Sequence, residues 1–122
     1  MKRGIITINN GVVGIPTASV WMMQEEIADM FKVYGRDIRR AINAVYKDGV
    51  LSESETLRYI WLDKRRSIDA YSIEMIIAIA FRINSKETFA FRRYIINRLY
   101  LKNDCNIVLF ANGFRKGGSI FN

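Results

Sequence analysis

A chain of 122 residues, half of them hydrophobic and only one of them proline, is suited to one folded domain over residues 1–122, which excludes the disordered class. No histidine, one cysteine and no phosphate-loop glycine pattern exclude most metal, general-base and nucleotide sites, so we expect no cofactor and no enzyme activity; carboxylate or Mg²⁺ chemistry stays open. The net charge of +7 favours nucleic acid over a membrane surface as partner, with a merely basic protein as the alternative.

The sequence also predicts a cytoplasmic protein that does not bind membranes. The first residues lack the continuous apolar run of a signal peptide, and Cys105 alone cannot form an internal disulfide. The longest apolar run, residues 72–83, is far shorter than the roughly 20 residues that span a bilayer, and it contains Glu74 and Arg82.

A β-hairpin is predicted at residues 4–15. Its strands flank Asn10 and Gly11, the dipeptide that best tolerates the positive φ angles of a two-residue turn. Pro16 ends the second strand, and the following segment TASVWM is interpreted as a linker that leads into a helix at about residue 24.

The next segment, residues 24–71, has the element order of a winged helix-turn-helix. Helices are predicted at 24–31 and 36–48. The second ends at about residue 48 because Gly49 suits the left-handed position that follows a helix. LSESE is then a polar connection. The β-branched and aromatic residues around the charged turn DKRR predict a second hairpin at 56–71.

Two helices are expected to form the core scaffold at residues 72–101. Ser72 can cap the first, which extends to about residue 83 and is apolar nearly all round, hence buried; NSKE can cap the second at 86–101. A tail at 102–122, with one short strand at 107–110, completes the chain. The predicted fold class is α+β: a winged helix-turn-helix with an N-terminal β-hairpin and two C-terminal helices.

One side of the helix predicted at 36–48 is purely cationic and amide. At about 100° per residue, its apolar residues fall on the side that faces the core. The opposite side carries the cationic stripe, which consists of Arg36, Arg39, Arg40, Asn43 and Lys47. Asp37 and Asp48 lie away from this stripe. Solvated helices usually mix charge signs, so this segregation favours a recognition helix that faces DNA; an ordinary solvated face is the alternative.

The second hairpin is positioned as the wing of a winged helix. Its tip carries Lys64, Arg65 and Arg66, which can contact the DNA backbone or minor groove beside the recognition helix. A plain solvated turn is the alternative, because charged tips also protect edge strands against aggregation.

Arg92 falls inside the apolar stripe of the last predicted helix, so we do not expect it to contact DNA. A buried guanidinium needs a carboxylate or carbonyl partner. The order of the elements makes Asp69 and Glu74 the nearest candidates.

Three segments resemble the RhuM family of bacterial virulence-associated proteins. They are VWMMQEEIADMF, YSIEMIIAIAFRINS and FRRY, the last similar to the family's Phe-Arg-x-aromatic pattern. The resemblance covers about residues 5–101 and implies a DNA-binding protein linked to mobile elements. Met23 stands where such proteins commonly have Thr, which leaves Glu26 without its partner in a capping box.

Together these patterns predict a small DNA-binding transcriptional regulator without catalytic residues. The expected base or groove readers are Arg36, Arg39, Arg40 and Asn43, and the expected phosphate contacts are Lys47, Lys64, Arg65 and Arg66. Double-stranded DNA is the predicted partner, and we expect a homodimer because a single short module reads an operator weakly. The alternatives are a protein-interaction or accessory module on the same scaffold and, less favoured, an RNA-binding role.

Overall fold

The structure, a computed structural model, describes residues 3–102 and has a mixed α+β fold. In chain order the elements are β1 (Thr7–Asn9), β2 (Val12–Gly14), β3 (Trp21–Met23), α1 (Gln24–Phe31), α2 (Gly35–Lys47), α3 (Glu53–Thr56), β4 (Leu57–Trp61), β5 (Ser67–Ser72), α4 (Ile73–Ala80) and α5 (Lys86–Lys102). The strand expected at 107–110 and most of the expected tail lie outside the described residues.

Contacts between Cα atoms divide the chain into two compact units, Met1–Arg92 and Arg93–Asn122. The first unit contains every element named above except the C-terminal part of α5. Within the described part of the second unit, the Arg98 guanidinium carbon lies 5.6 Å from the centre of the Tyr94 ring. The features that follow belong to the first unit.

The predicted N-terminal hairpin is confirmed as the antiparallel pair of β1 and β2. Asn10 and Gly11 form its turn with φ angles of 51° and 80°, the left-handed values that a two-residue hairpin turn requires. The residues before β1 pair with the segment that leads into β3 rather than with β2. Gly4 forms a parallel bridge with Val20, and its N–H donates to the Ser19 carbonyl at 2.8 Å.

A three-stranded antiparallel sheet has the order β3–β5–β4. The interpretation of TASVWM as a linker is therefore wrong at its end, since Trp21 and Met22 are buried and belong to a strand. Three residues directly before a helix are too few to display an alternating pattern, which is why the sequence does not reveal this strand. The predicted second hairpin is confirmed as β4 and β5.

Helix α1 has the predicted bounds, and α2 begins and ends one residue before them. Met23 is the N-cap of α1, and the Glu26 carboxylate accepts its backbone N–H at 2.8 Å. Glu26 also forms an ion pair with Arg3 at 2.7 Å. Glu26 thus has two partners, while the Met23 side chain makes no capping bond, as the missing Thr predicts. The segment predicted as a polar connection contains the one-turn helix α3.

Helix α4 packs against α2 and ends at Ala80, three residues before the predicted end. Ile76 and Ile79 are fully buried, whereas Phe81 is 54% exposed, so the expectation of burial all round is wrong at the C-terminal end. Ser72 occupies the N-cap position, but its hydroxyl makes no capping bond.

Arg92 pairs with carbonyls rather than with the carboxylates of Asp69 or Glu74. Its guanidinium donates to the carbonyl oxygens of Ala80 and Ile83 at 2.6 and 3.1 Å. The end of a helix leaves carbonyls such as that of Ala80 without intrahelical donors, and Ile83 lies in the loop that follows, so the early end of α4 leaves both carbonyls within reach of Arg92.

The first turn of α5 is held by a reciprocal cap and by an aromatic contact with α1. The Ser85 hydroxyl accepts the Thr88 N–H at 3.0 Å and donates to the Phe31 carbonyl at 2.8 Å. The buried rings of Phe31 and Phe91 meet edge to face, with centres 5.7 Å apart. These contacts join α1 to α5 and complete the core beneath α2.

Candidate nucleic-acid interface

Helix α2 separates its residues into a buried apolar side and an exposed polar side. The buried residues are Ile38, Ala41, Ile42 and Val45. All members of the cationic stripe, Arg36, Arg39, Arg40, Asn43 and Lys47, are exposed. The predicted orientation of α2 is therefore confirmed, and the stripe presents four cations and one amide to solvent.

The turn between α1 and α2 sets the orientation of the stripe. Lys32 ends α1 in the left-handed conformation, with φ 57° and ψ 45°. The Val33 N–H then donates to the Ala28 carbonyl at 3.1 Å, and the Gln24 side chain donates to the Gly35 carbonyl at 3.2 Å. These two bonds tie the turn and the start of α2 to α1, so the stripe is held by backbone contacts that do not involve its own side chains.

Tyr34 and Arg36 form a paired group at the N-terminal end of the stripe. The guanidinium carbon of Arg36 lies 5.0 Å from the centre of the Tyr34 ring, within the range of a cation–π contact. Tyr34 is 70% exposed. Because the ring restrains the guanidinium without neutralising it, Arg36 keeps its positive charge available to an anionic ligand.

The carboxylates of α2 do not cancel the charge of the stripe. Asp37 is half-buried, and Asp48 forms an ion pair with Arg82 at 2.7 Å, so an arginine from the loop after α4 neutralises it. The Asp48 carboxylate, which follows the end of α2, is thus neutralised by a residue outside the cationic stripe.

The tip of the second hairpin is built around the Asp63 carboxylate. It accepts the backbone N–H groups of Arg65 and Arg66 at 2.8 and 2.9 Å, and the Arg66 side chain at 2.9 Å. These bonds, that from the Arg65 backbone above all, hold the pKa of Asp63 below its usual value. Lys64, Arg65 and Arg66 are all exposed, but Arg66 shares its charge with Asp63.

Strand β4 carries exposed aromatic residues that the sequence does not single out. Tyr59 and Trp61 are 65% and 66% exposed. Arg58, which precedes Tyr59, lies over the Trp21 ring, with its guanidinium carbon 4.4 Å from the ring centre. The alternation in LRYIW indicates that Tyr59 and Trp61 share a face of the strand. Aromatic residues in a strand usually indicate a buried face, so the sequence does not predict that these two are exposed.

Tyr71 lies at the buried end of the same sheet face. Burial raises its pKa to about 12, with smaller contributions in the same direction from Asp69, Tyr46 and Glu53 and an opposing one from Arg39. Arg39 and Tyr46 belong to α2, so this face of the sheet lies beside α2. The phenol stays protonated near neutral pH and cannot serve there as a base.

No group of three acidic, cysteine or histidine side chains among residues 3–102 is arranged to hold a metal ion. The described helices also include none with the length and hydrophobicity needed to cross a membrane. Comparison of the chain with protein-family models, with curated proteins and with solved structures gave no match.

Proposed function

We propose that this protein binds double-stranded DNA through a winged helix-turn-helix and acts in the cytoplasm as a small transcriptional regulator. In this proposal α2 is the recognition helix and the hairpin of β4 and β5 is the wing. Arg39, Arg40 and Asn43 read base edges or the groove together with Arg36. Lys47 and the tip residues Lys64, Arg65 and Arg66 contact phosphates.

The order of the elements supports this assignment. Strand β3 precedes α1 and α2, which are joined by a three-residue turn, and the hairpin of β4 and β5 follows them after the one-turn helix α3. Strand β3 pairs with β5, the second strand of the hairpin, which is the pairing found in winged-helix domains. In such domains the second helix of the pair enters the major groove, and α2 occupies that position.

The observation that carries the proposal is the exposed cationic stripe of α2. Its five residues contact solvent while the opposite side of the same helix forms core, so the fold does not require their charge. Guanidinium and amide groups on one helix face match the hydrogen-bond pattern of guanine and adenine in the major groove. The chain's net charge of +7 adds a general attraction to phosphate.

Selection from random-sequence duplexes at near-physiological salt tests this function directly. We expect an enriched sequence and steep salt dependence. If the four assigned phosphate contacts all form, log K should fall against log salt concentration with a slope of roughly −3.6. Failure to bind any duplex at low salt would contradict the proposal.

The alternative function is a protein-interaction module, and exposed apolar residues favour it. Phe81 and Phe89 are 54% and 58% exposed, so their rings are accessible to an apolar partner. An apolar contact with another protein survives high salt, whereas binding to phosphate does not. Salt dependence of the tightest complex therefore distinguishes the two functions.

We include in the proposal membership of the RhuM family and a homodimer. The segments that resemble RhuM proteins coincide with β3 and α1, with α4 and its flanks, and with part of α5. None of these segments contains a member of the cationic stripe or of the hairpin tip. Sedimentation at high micromolar concentration tests the dimer, and a monomer there would remove it.

A further inference from the structure

Strand β4 presents an exposed aromatic surface that the binding of duplex DNA does not explain. Tyr59 and Trp61 lie two residues apart on a strand, so they project from the same face, with Cα atoms roughly 6.6 Å apart. Their partners across the hairpin are Asp69 and Ser67, which share that face. The name aromatic face is used below for Tyr59, Trp61 and Asp69.

The aromatic face continues directly into the proposed DNA-binding surface. At its outer end, Trp61 is followed by the cationic tip with Lys64 and Arg65. At its inner end, Leu57 is paired with Tyr71, which lies close enough to Arg39 of α2 for the two to interact electrostatically. The aromatic face is thus bounded by cations at its outer end, while its inner end lies near Arg39 and also near the Glu53 carboxylate. An anionic chain that extends from the hairpin tip towards Arg39 passes along this face.

The chemistry of this face fits a nucleobase better than a phosphate. Aromatic rings stack on bases of any sequence, and a carboxylate repels phosphate but accepts a hydrogen bond from the amino group of cytosine or adenine. The Cα spacing of roughly 6.6 Å is about twice the 3.4 Å rise between stacked bases, so two rings that project side by side leave room for one base between them. In an intact duplex the base faces are already stacked and are not available to such a site.

We infer that Tyr59, Trp61 and Asp69 bind an unpaired DNA base, so that the protein prefers duplex DNA that adjoins a single-stranded segment. This inference rests on the proposed function, because it takes α2 and the hairpin tip as the duplex-binding surface. The aromatic rings supply stacking, and the Asp69 carboxylate selects bases that carry an amino group.

Binding to matched DNA probes tests the inference. The probes are a blunt duplex, the same duplex with a short single-stranded extension, and the free single strand. We expect the extension to increase affinity roughly 5- to 150-fold, the range that stacking of one base provides. Tyr59→Ala and Trp61→Ala should abolish most of this increase and leave the affinity for the blunt duplex unchanged. Phe89→Ala is the control, since it removes an equally exposed ring from α5.

Base identity and tryptophan fluorescence sharpen the test. With wild-type protein, cytosine or adenine extensions should bind more tightly than thymine, and Asp69→Ala should remove that difference. The chain has two tryptophans, of which Trp21 is buried and Trp61 is exposed. The extended duplex should therefore quench emission in Trp21→Phe protein but not in Trp61→Phe protein.

The outcomes separate this inference from the function on which it rests. If blunt and extended duplexes bind equally well, or if the alanine variants keep the preference, the inference is wrong and duplex binding stands. If no probe binds at low salt, the proposed function itself fails. If Tyr59→Ala and Trp61→Ala change only self-association in sedimentation, the aromatic face is a protein contact and the inference is again overturned.

Discussion

Helices α2 and α4 pack against each other but divide their residues in opposite ways. Four residues of α2 are buried and face the core, while its cationic stripe is exposed. In α4, Ile76 and Ile79 are fully buried, and Glu74 alone of its eight residues is exposed. The difference shows that α4 is constrained almost entirely by packing, whereas half of α2 is free of it. Packing does not require the charge segregation on this side, which is why α2 carries the functional proposal.

The largest expected effect tests the packing role of α4. Ile76→Asp places an unpaired charge at a fully buried position, so we expect a loss of about 5 kcal/mol or more in the free energy of unfolding, comparable to the whole stability of many domains. Circular dichroism and thermal melting measure it. Phe81→Asp is the control, because at 54% exposure it should remain folded. A folded Ile76→Asp protein would contradict the assignment of α4 to the core.

A smaller effect is expected for a substitution in the cationic stripe of α2. Arg40→Ala should reduce the affinity for a selected duplex by about 1 to 3 kcal/mol and reduce binding to scrambled duplexes much less. Because Arg40 is exposed, the free energy of unfolding should change by less than about 0.5 kcal/mol. Fluorescence anisotropy with both duplexes measures the first quantity. Equal losses on both duplexes would make Arg40 a phosphate contact.

The hairpin tip should behave as a phosphate contact without base reading. Arg65→Ala keeps the backbone N–H that donates to Asp63, so the turn is preserved while the charge is lost. We expect binding to all duplexes to weaken about equally and the salt slope to become shallower by about one unit. Salt titrations measure this, with Lys86→Ala in α5 as a matched loss of an exposed cation. A change in sequence preference would contradict the assignment.

The smallest effect concerns the start of α4. The Ser72 hydroxyl is buried and has no hydrogen-bond partner among the described residues. Ser72→Ala should therefore change the free energy of unfolding by less than about 0.5 kcal/mol, whereas Ser85→Ala, which removes three hydrogen bonds at the start of α5, should cost about 1 to 2 kcal/mol. Chemical denaturation compares the two variants. Equal losses would mean that Ser72 does cap α4.

Local patterns were sufficient to predict most of the elements and the orientation of α2. The Asn10–Gly11 turn, the period of the apolar residues in α2 and the cap at Ser85 each depend on residues close together in the chain. The exposure of the cationic stripe follows from the same period. What this stripe binds does not follow from the fold, and it stays a prediction.

Features that depend on contacts distant in the chain were missed. Strand β3 exists because Trp21 and Met22 pair with β5, about fifty residues later, and three residues carry no pattern of their own. Arg92 finds carbonyls rather than carboxylates because α4 ends early, and no local signal marks that end. The exposure of Tyr59 and Trp61 depends on how far the hairpin extends beyond the helices, which sequence patterns do not encode.

The left-handed residue Lys32 has a consequence for how this protein can change in evolution. Two hydrogen bonds span the turn Lys32–Tyr34, from the Val33 N–H to the Ala28 carbonyl and from the Gln24 side chain to the Gly35 carbonyl, so inserting or deleting one residue there would break them. The start of α2, and with it the cationic stripe, would then be displaced relative to α1. Substitutions within the stripe carry no such penalty. Homologous chains should therefore vary in the amino acids at the stripe positions while keeping the length of this turn constant.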